Sequence, residues 1–134
     1  GILVADKHQS SYIKDCLSSI KDESKYEERR WGTIKTIDSD EDDGIKSVTR
    51  RIKVVAGKTT PEHRHLSHTE TITVLSGMGK LILEGVEVDL MAGATVSIAA
   101  GKRHAIKAMG SDLRCIEVSI GTDEKSTLDD EIIG

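Results

Sequence analysis

Four side chains of this sequence have the chemistry and the spacing to surround one metal ion: His63, His65, Glu70 and His104. His63 and His65 stand two residues apart. Successive side chains of an extended strand alternate between faces, so both imidazoles leave the same one. Glu70 opens the inward face of the strand that follows, and His104 comes just after Gly101 at the start of another. A barrel that draws these strands together places three nitrogens and one carboxylate about a point. Such a mixed set, with coordination positions left open, suits one divalent transition metal (Zn, Mn, Fe, Co or Ni) without selecting among them. His8 and His68 lack that pattern, and each reads as a solvated side chain.

Strands must carry those residues, and from Trp31 onward the hydrophobic pattern has a period of two. Val48, Ile52 and Val54 share one parity, and Glu70, Ile72 and Val74 share the inward face of a second segment, with Thr71 and Thr73 turned away. Leu81, Leu83, Val86, Val88 and Leu90 flank a Glu84-Gly85 turn in the manner of a hairpin. Val96 and Ile98 alternate with Thr95 and Ser97, and Ile116, Val118 and Ile120 close the series. Gly57, Gly77, Gly79, Gly85, Gly93, Gly101, Gly110 and Gly121 punctuate the segments, which predicts an all-β sandwich or barrel. Ahead of it, Ile2 to Ala5 reads as a strand. Ser10 to Lys21 reads as a short helix, with Ile13, Cys16, Leu17 and Ile20 on one stripe. The charged run from Asp22 to Arg30 reads as exposed linker. The expected organisation is residues 1–30 as N-terminal helix and linker, 31–121 as the barrel, and 122–134 as an acidic tail, loose apart from Ile132 and Ile133.

Composition narrows the function classes. At 134 residues the chain is one domain of ordinary size, and no apolar run approaches the roughly 18 residues needed to span a bilayer. One Trp, two Tyr and no Phe leave an aliphatic core and no platform for stacking bases. A net charge of −4 likewise speaks against a polyanion partner, so neither nucleic acid nor membrane is expected. Cys16 and Cys115 are too few and too distant in sequence for a disulfide framework, and both read as reduced structural thiols. No secretory signal is visible, so the expected setting is the cytoplasm. The first residue is Gly1 and not Met, and the expectation is a piece of a longer protein whose upstream part is missing.

The spacing Gly57, five residues, His63, one residue, His65, four residues, Glu70, six residues, Gly77 resembles the first motif of the cupin superfamily throughout. The second motif is recognisable in Gly93, Gly101 and His104, although Ala99 stands for its usual Pro and Ala108 for its usual Asn. The resemblance implies a double-stranded β-helix, or jelly roll, with His63, His65, Glu70 and His104 as metal ligands. The flanks narrow it further. ILVADKHQSSYIKDCLSSIK is similar to the segment after the nucleotidyltransferase region of mannose-1-phosphate guanylyltransferases, and RRWGTIKTID with VTRRIKVVAG is similar to the entry into their C-terminal cupin, of the type II phosphomannose isomerase group.

That likeness implies a part in nucleotide-sugar biosynthesis, a sugar phosphate or related small molecule as partner, and a homodimer paired through an exposed strand or N-terminal arm. The chain departs from the Arg-Ala-Glu-His-Trp run of the bifunctional members, reading His68, Thr69, Glu70, Thr71 and Ile72, so that only the Glu is kept. His68, Thr71 and Ile72 replace the Arg, His and Trp, and Ala105 replaces the Arg that often follows the second-motif histidine. Arg51, Lys53, Lys102 and Arg103 are the cations left with a chance of facing the pocket mouth, and each reads more simply as surface charge. Three readings follow: an accessory, isomerase-like metal-binding cupin of a guanylyltransferase; an active mannose-6-phosphate isomerase; and an unrelated small-molecule cupin enzyme such as a dioxygenase or epimerase. The lost Arg, His and Trp favour the first over the second, and the flanks argue against the third.

Overall fold

The computed structural model describes residues 26–122 and 130–132. The strand expected at Ile2 to Ala5, the helix expected at Ser10 to Lys21, His8 and Cys16 lie outside the described residues. Within them the chain runs β1 (Tyr26–Arg29), β2 (Gly32–Asp42), β3 (Ile45–Val54), β4 (His63–His65), β5 (His68–Ser76), β6 (Met78–Leu83), β7 (Val86–Met91), β8 (Thr95–Ile98), β9 (His104–Ala108), β10 (Leu113–Thr122) and β11 (Asp130–Ile132). A six-stranded sheet takes the order β1-β2-β3-β10-β5-β8, and a five-stranded sheet takes β11-β4-β9-β6-β7. This is the jelly roll that the sequence predicts. No helix among the described residues is long and apolar enough to cross a membrane.

Local chemistry explains the hairpins. Asp43-Gly44 joins β2 to β3 and Glu84-Gly85 joins β6 to β7, and all four residues have positive φ, at 54°, 80°, 48° and 79°. That is the two-residue turn whose twist matches the twist of the strands it connects. Between the sheets lies an aliphatic core. Ile52, Val54, Ile72, Val74, Leu113 and Cys115 come from the larger sheet, and Leu81, Leu90, Ile106 and Ala108 from the smaller. Burial, and then the charge of Glu117, push the Cys115 thiol up to about 12, so it packs as a small apolar group.

Four details refine or depart from the sequence reading. Strand β10 turns Leu113, Cys115, Glu117 and Ser119 inward, leaving Ile116 and Val118 half-buried and Ile120 exposed on the outer face. Because β10 lies between β3 and β5, neighbouring side chains on both flanks partly shield Ile116 and Val118 without a covering layer. Tyr26–Arg29, read as linker, is strand β1. All four of its residues are exposed, so backbone pairing to β2 holds it and no apolar pattern marks it. Asp130–Ile132, in the tail, pairs with β4. Val86 and Val88 of the expected hairpin are exposed, whereas Leu81 and Leu90 are buried.

Leu113 is fully buried, and its Cδ2 lies 2.8 Å from where a Cβ on Gly79 of the facing sheet would stand. Leu113→Ala is therefore expected to lower the unfolding free energy by about 2–5 kcal/mol in a urea titration. A loss below about 0.5 kcal/mol would show that this side chain does not hold the sheets together.

Candidate metal centre

Strand β4 is three residues long, and its two histidines point the same way. It lies between β11 and β9, with His65 opposite Asp130 and His63 opposite both Ile132 and His104. The register with β9 thus sets His63 directly against His104. A second tie joins the two sequence motifs, because the Gly101 amide donates to the His65 carbonyl at 2.7 Å. Potential ligand atoms of His63, His65 and His104 all lie within 4.8 Å of one another. The His63 and His104 ring centroids are 4.2 Å apart.

Glu70 comes from the facing sheet. Its Oε2 lies 3.0 Å from His65 Nε2, and its Oε1 lies 3.3 Å from His104 Nε2. Burial works to raise the Glu70 carboxyl, but hydrogen bonds from His104 and His65 and their positive charge, when those imidazoles carry a second proton, outweigh burial and hold it well below the usual carboxylate range. Burial, then the charges of His104 and His65, lower His63, which keeps it in the neutral form that ligates metals.

The donor set fits a cation. His63 Nδ1 lies 3.0 Å from the Pro61 carbonyl, and His104 Nδ1 lies 3.0 Å from the Lys102 carbonyl. A carbonyl only accepts, so each Nδ1 carries the proton and each Nε2 presents a lone pair. Glu70 Oε1, Glu70 Oε2 and His104 Nε2 are all buried without a hydrogen-bond donor or acceptor partner. Lone pairs that face one another in a buried space are costly unless something positive lies between them. His63, His65 and His104 could hold a metal ion, and Glu70 stands beside them.

Other side chains of the site depart from the sequence reading. His68 is buried and not solvated, with its ring centroid 6.2 Å from that of His65. It rests on Gly121, where an added Cβ would meet the Ser67 carbonyl and stand 2.7 Å from His68 Cδ2. Arg51 and Lys53 line a groove with Tyr26, Glu28, Thr33, Leu75 and Arg114, on the parity opposite to the core residues Ile52 and Val54. Arg103 lies beside Glu84, Glu62 and Arg64, and Lys102 is exposed. Two inward residues escaped the sequence analysis. Arg50 and Glu117 face each other across β3 and β10, with Arg50 Nη1 donating to Glu117 Oε1 at 3.4 Å. Burial, then the charge of Glu70, push the Glu117 carboxyl up against the opposing charge of Arg50. The signal that could have found the pair is Glu117 itself, an acid flanked by Ile116 and Val118 in a strand otherwise rich in aliphatic residues.

Comparison with known proteins agrees with this fold. The chain is 30% identical over 130 residues to a protein of Vibrio cholerae serotype O1 that carries the name mannose-1-phosphate guanylyltransferase, covering 91% of this chain and 27% of that protein. It is 28% identical over 131 residues to the mannose-1-phosphate guanylyltransferase ManC of Salmonella typhimurium, covering 91% of this chain and 26% of that one. The chain thus spans about a quarter of the length of these curated relatives. Among solved structures, Pac13 of Streptomyces, described as a nucleoside dehydratase, superposes with a TM-score of 0.67 at 16% identity, covering 84% of this chain and 86% of that one. Residues 50–120, more than half of the chain, match the Cupin domain family, and the chain belongs to it.

Proposed function

We infer that this chain is the metal-binding cupin of a mannose-1-phosphate guanylyltransferase, and that it serves as an accessory, isomerase-like domain that binds a sugar phosphate or a related small molecule. The observation that carries this reading is the meeting of half-buried His63 and His65 and buried His104 with a buried carboxylate whose oxygens lack partners. In this reading Glu70 completes the ligand set. A divalent metal held there would supply Lewis-acid polarisation of sugar oxygens. The chain's own residues orient the imidazoles, exclude water below Glu70 with Ile72 and Ile98, and keep a cation, Arg50, on the inward face.

Aldose–ketose isomerisation also needs a base that reaches the substrate and moves a proton between adjacent carbons. His68 is packed over Gly121, and Glu117 is buried behind Glu70 and tied to Arg50. Neither is placed as a free base, which favours binding over turnover. The proposed setting is the cytoplasm, as a homodimer. Strand β7 is a sheet edge that carries exposed Val86, Val88 and Met91, the kind of strand a second copy covers.

Three measurements test the reading. Protein prepared without chelator is expected to carry about one divalent transition metal per chain by elemental analysis, and His65→Ala to lose it; metal-free wild-type protein that cannot be reloaded contradicts the proposal. In a coupled assay with added Mn, Co or Zn, interconversion of mannose 6-phosphate and fructose 6-phosphate is expected to be very slow or absent. A turnover of about one per second, within the ordinary enzyme range, would make the domain an isomerase in its own right. Sedimentation at tens of micromolar is expected to give a dimer, and a monomer there removes that part.

A further inference from the structure

The inward face of the larger sheet changes character from row to row. Ile52, Cys115 and Val74 lie side by side across β3, β10 and β5. Next along the strands come Arg50, Glu117, Ile72 and Val96, and after them Val48, Ser119, Glu70 and Ile98. An apolar floor therefore gives way to an ion pair one row below the carboxylate of the metal centre. Arg50 stands two strands from Glu70, about 10 Å across the sheet at ordinary strand spacing.

This ion pair is not a closed one. A guanidinium carries five N–H donors, and among the described residues Arg50 meets one acceptor, at the long distance of 3.4 Å. The Arg50 side chain is 34% exposed and that of Glu117 only 10%, so the cation is the more accessible partner. Lys46, on the same face of β3, stands two rows further toward the rim, whereas Arg51 and Lys53 take the other face. A partly desolvated guanidinium held in place by a buried acid binds an oxyanion better than a solvated lysine does. It can offer two parallel donors, it is already oriented, and water screens it less.

We propose that Arg50, oriented by Glu117, is an oxyanion anchor on the inward face beside the histidine cluster, and that the molecule bound there is a small sugar carrying a phosphate or carboxylate. The proposal rests on the metal-binding reading above and deepens it by naming the residue that takes the ligand's anionic group. In this arrangement one end of the sugar faces the histidine cluster while its anionic group takes the unused donors of Arg50. Glu117 is a positioning residue: it fixes the guanidinium and leaves the outward edge of its fork for the ligand.

The test compares mannose 6-phosphate, mannuronate and neutral mannose by calorimetric titration of metal-loaded wild type, Arg50→Gln and Arg50→Lys, with metal content and melting temperature measured on the same samples. Wild type is expected to bind at least one of the charged sugars tenfold or more tightly than mannose, and the tighter of the two identifies the anionic group. Arg50→Gln should keep its metal and erase that preference, and Arg50→Lys should restore only part of it. If the three sugars bind wild type alike or not at all, or if Arg50→Gln lowers the melting temperature but keeps the preference, Arg50 is a structural ion-pair partner and the proposal fails. Failure of the metal reading is a separate result: wild type then loads no metal, and the same titrations on metal-free protein still decide whether Arg50 sets the charge preference.

Discussion

The interior of this barrel contains lone pairs aimed at one another. Glu70 is a carboxylate at 1% exposure, and the imidazoles nearest to it come with their Nδ1 protons committed or their rings crowded by neighbours. A buried anion with no donor is among the more costly features a fold can retain. Much of the surrounding architecture is explained as the means of keeping it there. The aliphatic floor of Ile72, Ile98 and Leu81 excludes water, and backbone carbonyls fix two of the rings.

Two strands from facing sheets must agree in register for this to happen. His63 opposes His104 through a single strand pair, and Glu70 opposes Ser119 and Ile98 in the other sheet. Since the side-chain period of a strand is two, a one-residue slip in either sheet would turn its ligands out of the barrel. The Gly101 amide bonded to the His65 carbonyl and the two-residue Glu84-Gly85 turn both act against such a slip.

Much of this was legible in the sequence because it depends on local rules. The period-two pattern located the strands that face the core, and the spacing of His63, His65 and His104 matched the cluster found. What was not legible depends on neighbours. The polar inward face of strand β10 is masked in the sequence, because Ile116, Val118 and Ile120 outweigh Glu117 and Ser119 in hydrophobicity. The polar inward face makes sense only once it is seen to end beside Glu70. For the same reason Arg51 and Lys53 looked like the cations to consider, while Arg50 was passed over. Strands β1 and β11 are held by pairing at sheet edges, and composition carries no mark of that.

The pairing of β11 with β4 also bears on the order of assembly. The outer neighbour of the His63–His65 strand is Asp130–Ile132, more than sixty residues later in the chain, and β3 and β5 are joined through Leu113–Thr122. During synthesis the two histidines emerge well before either of these strands exists, and chain closure over such separations is slow. The first motif therefore leaves the ribosome as an open edge. The three histidines can meet only after His104 has been translated, and the strand that flanks His63–His65 follows later still.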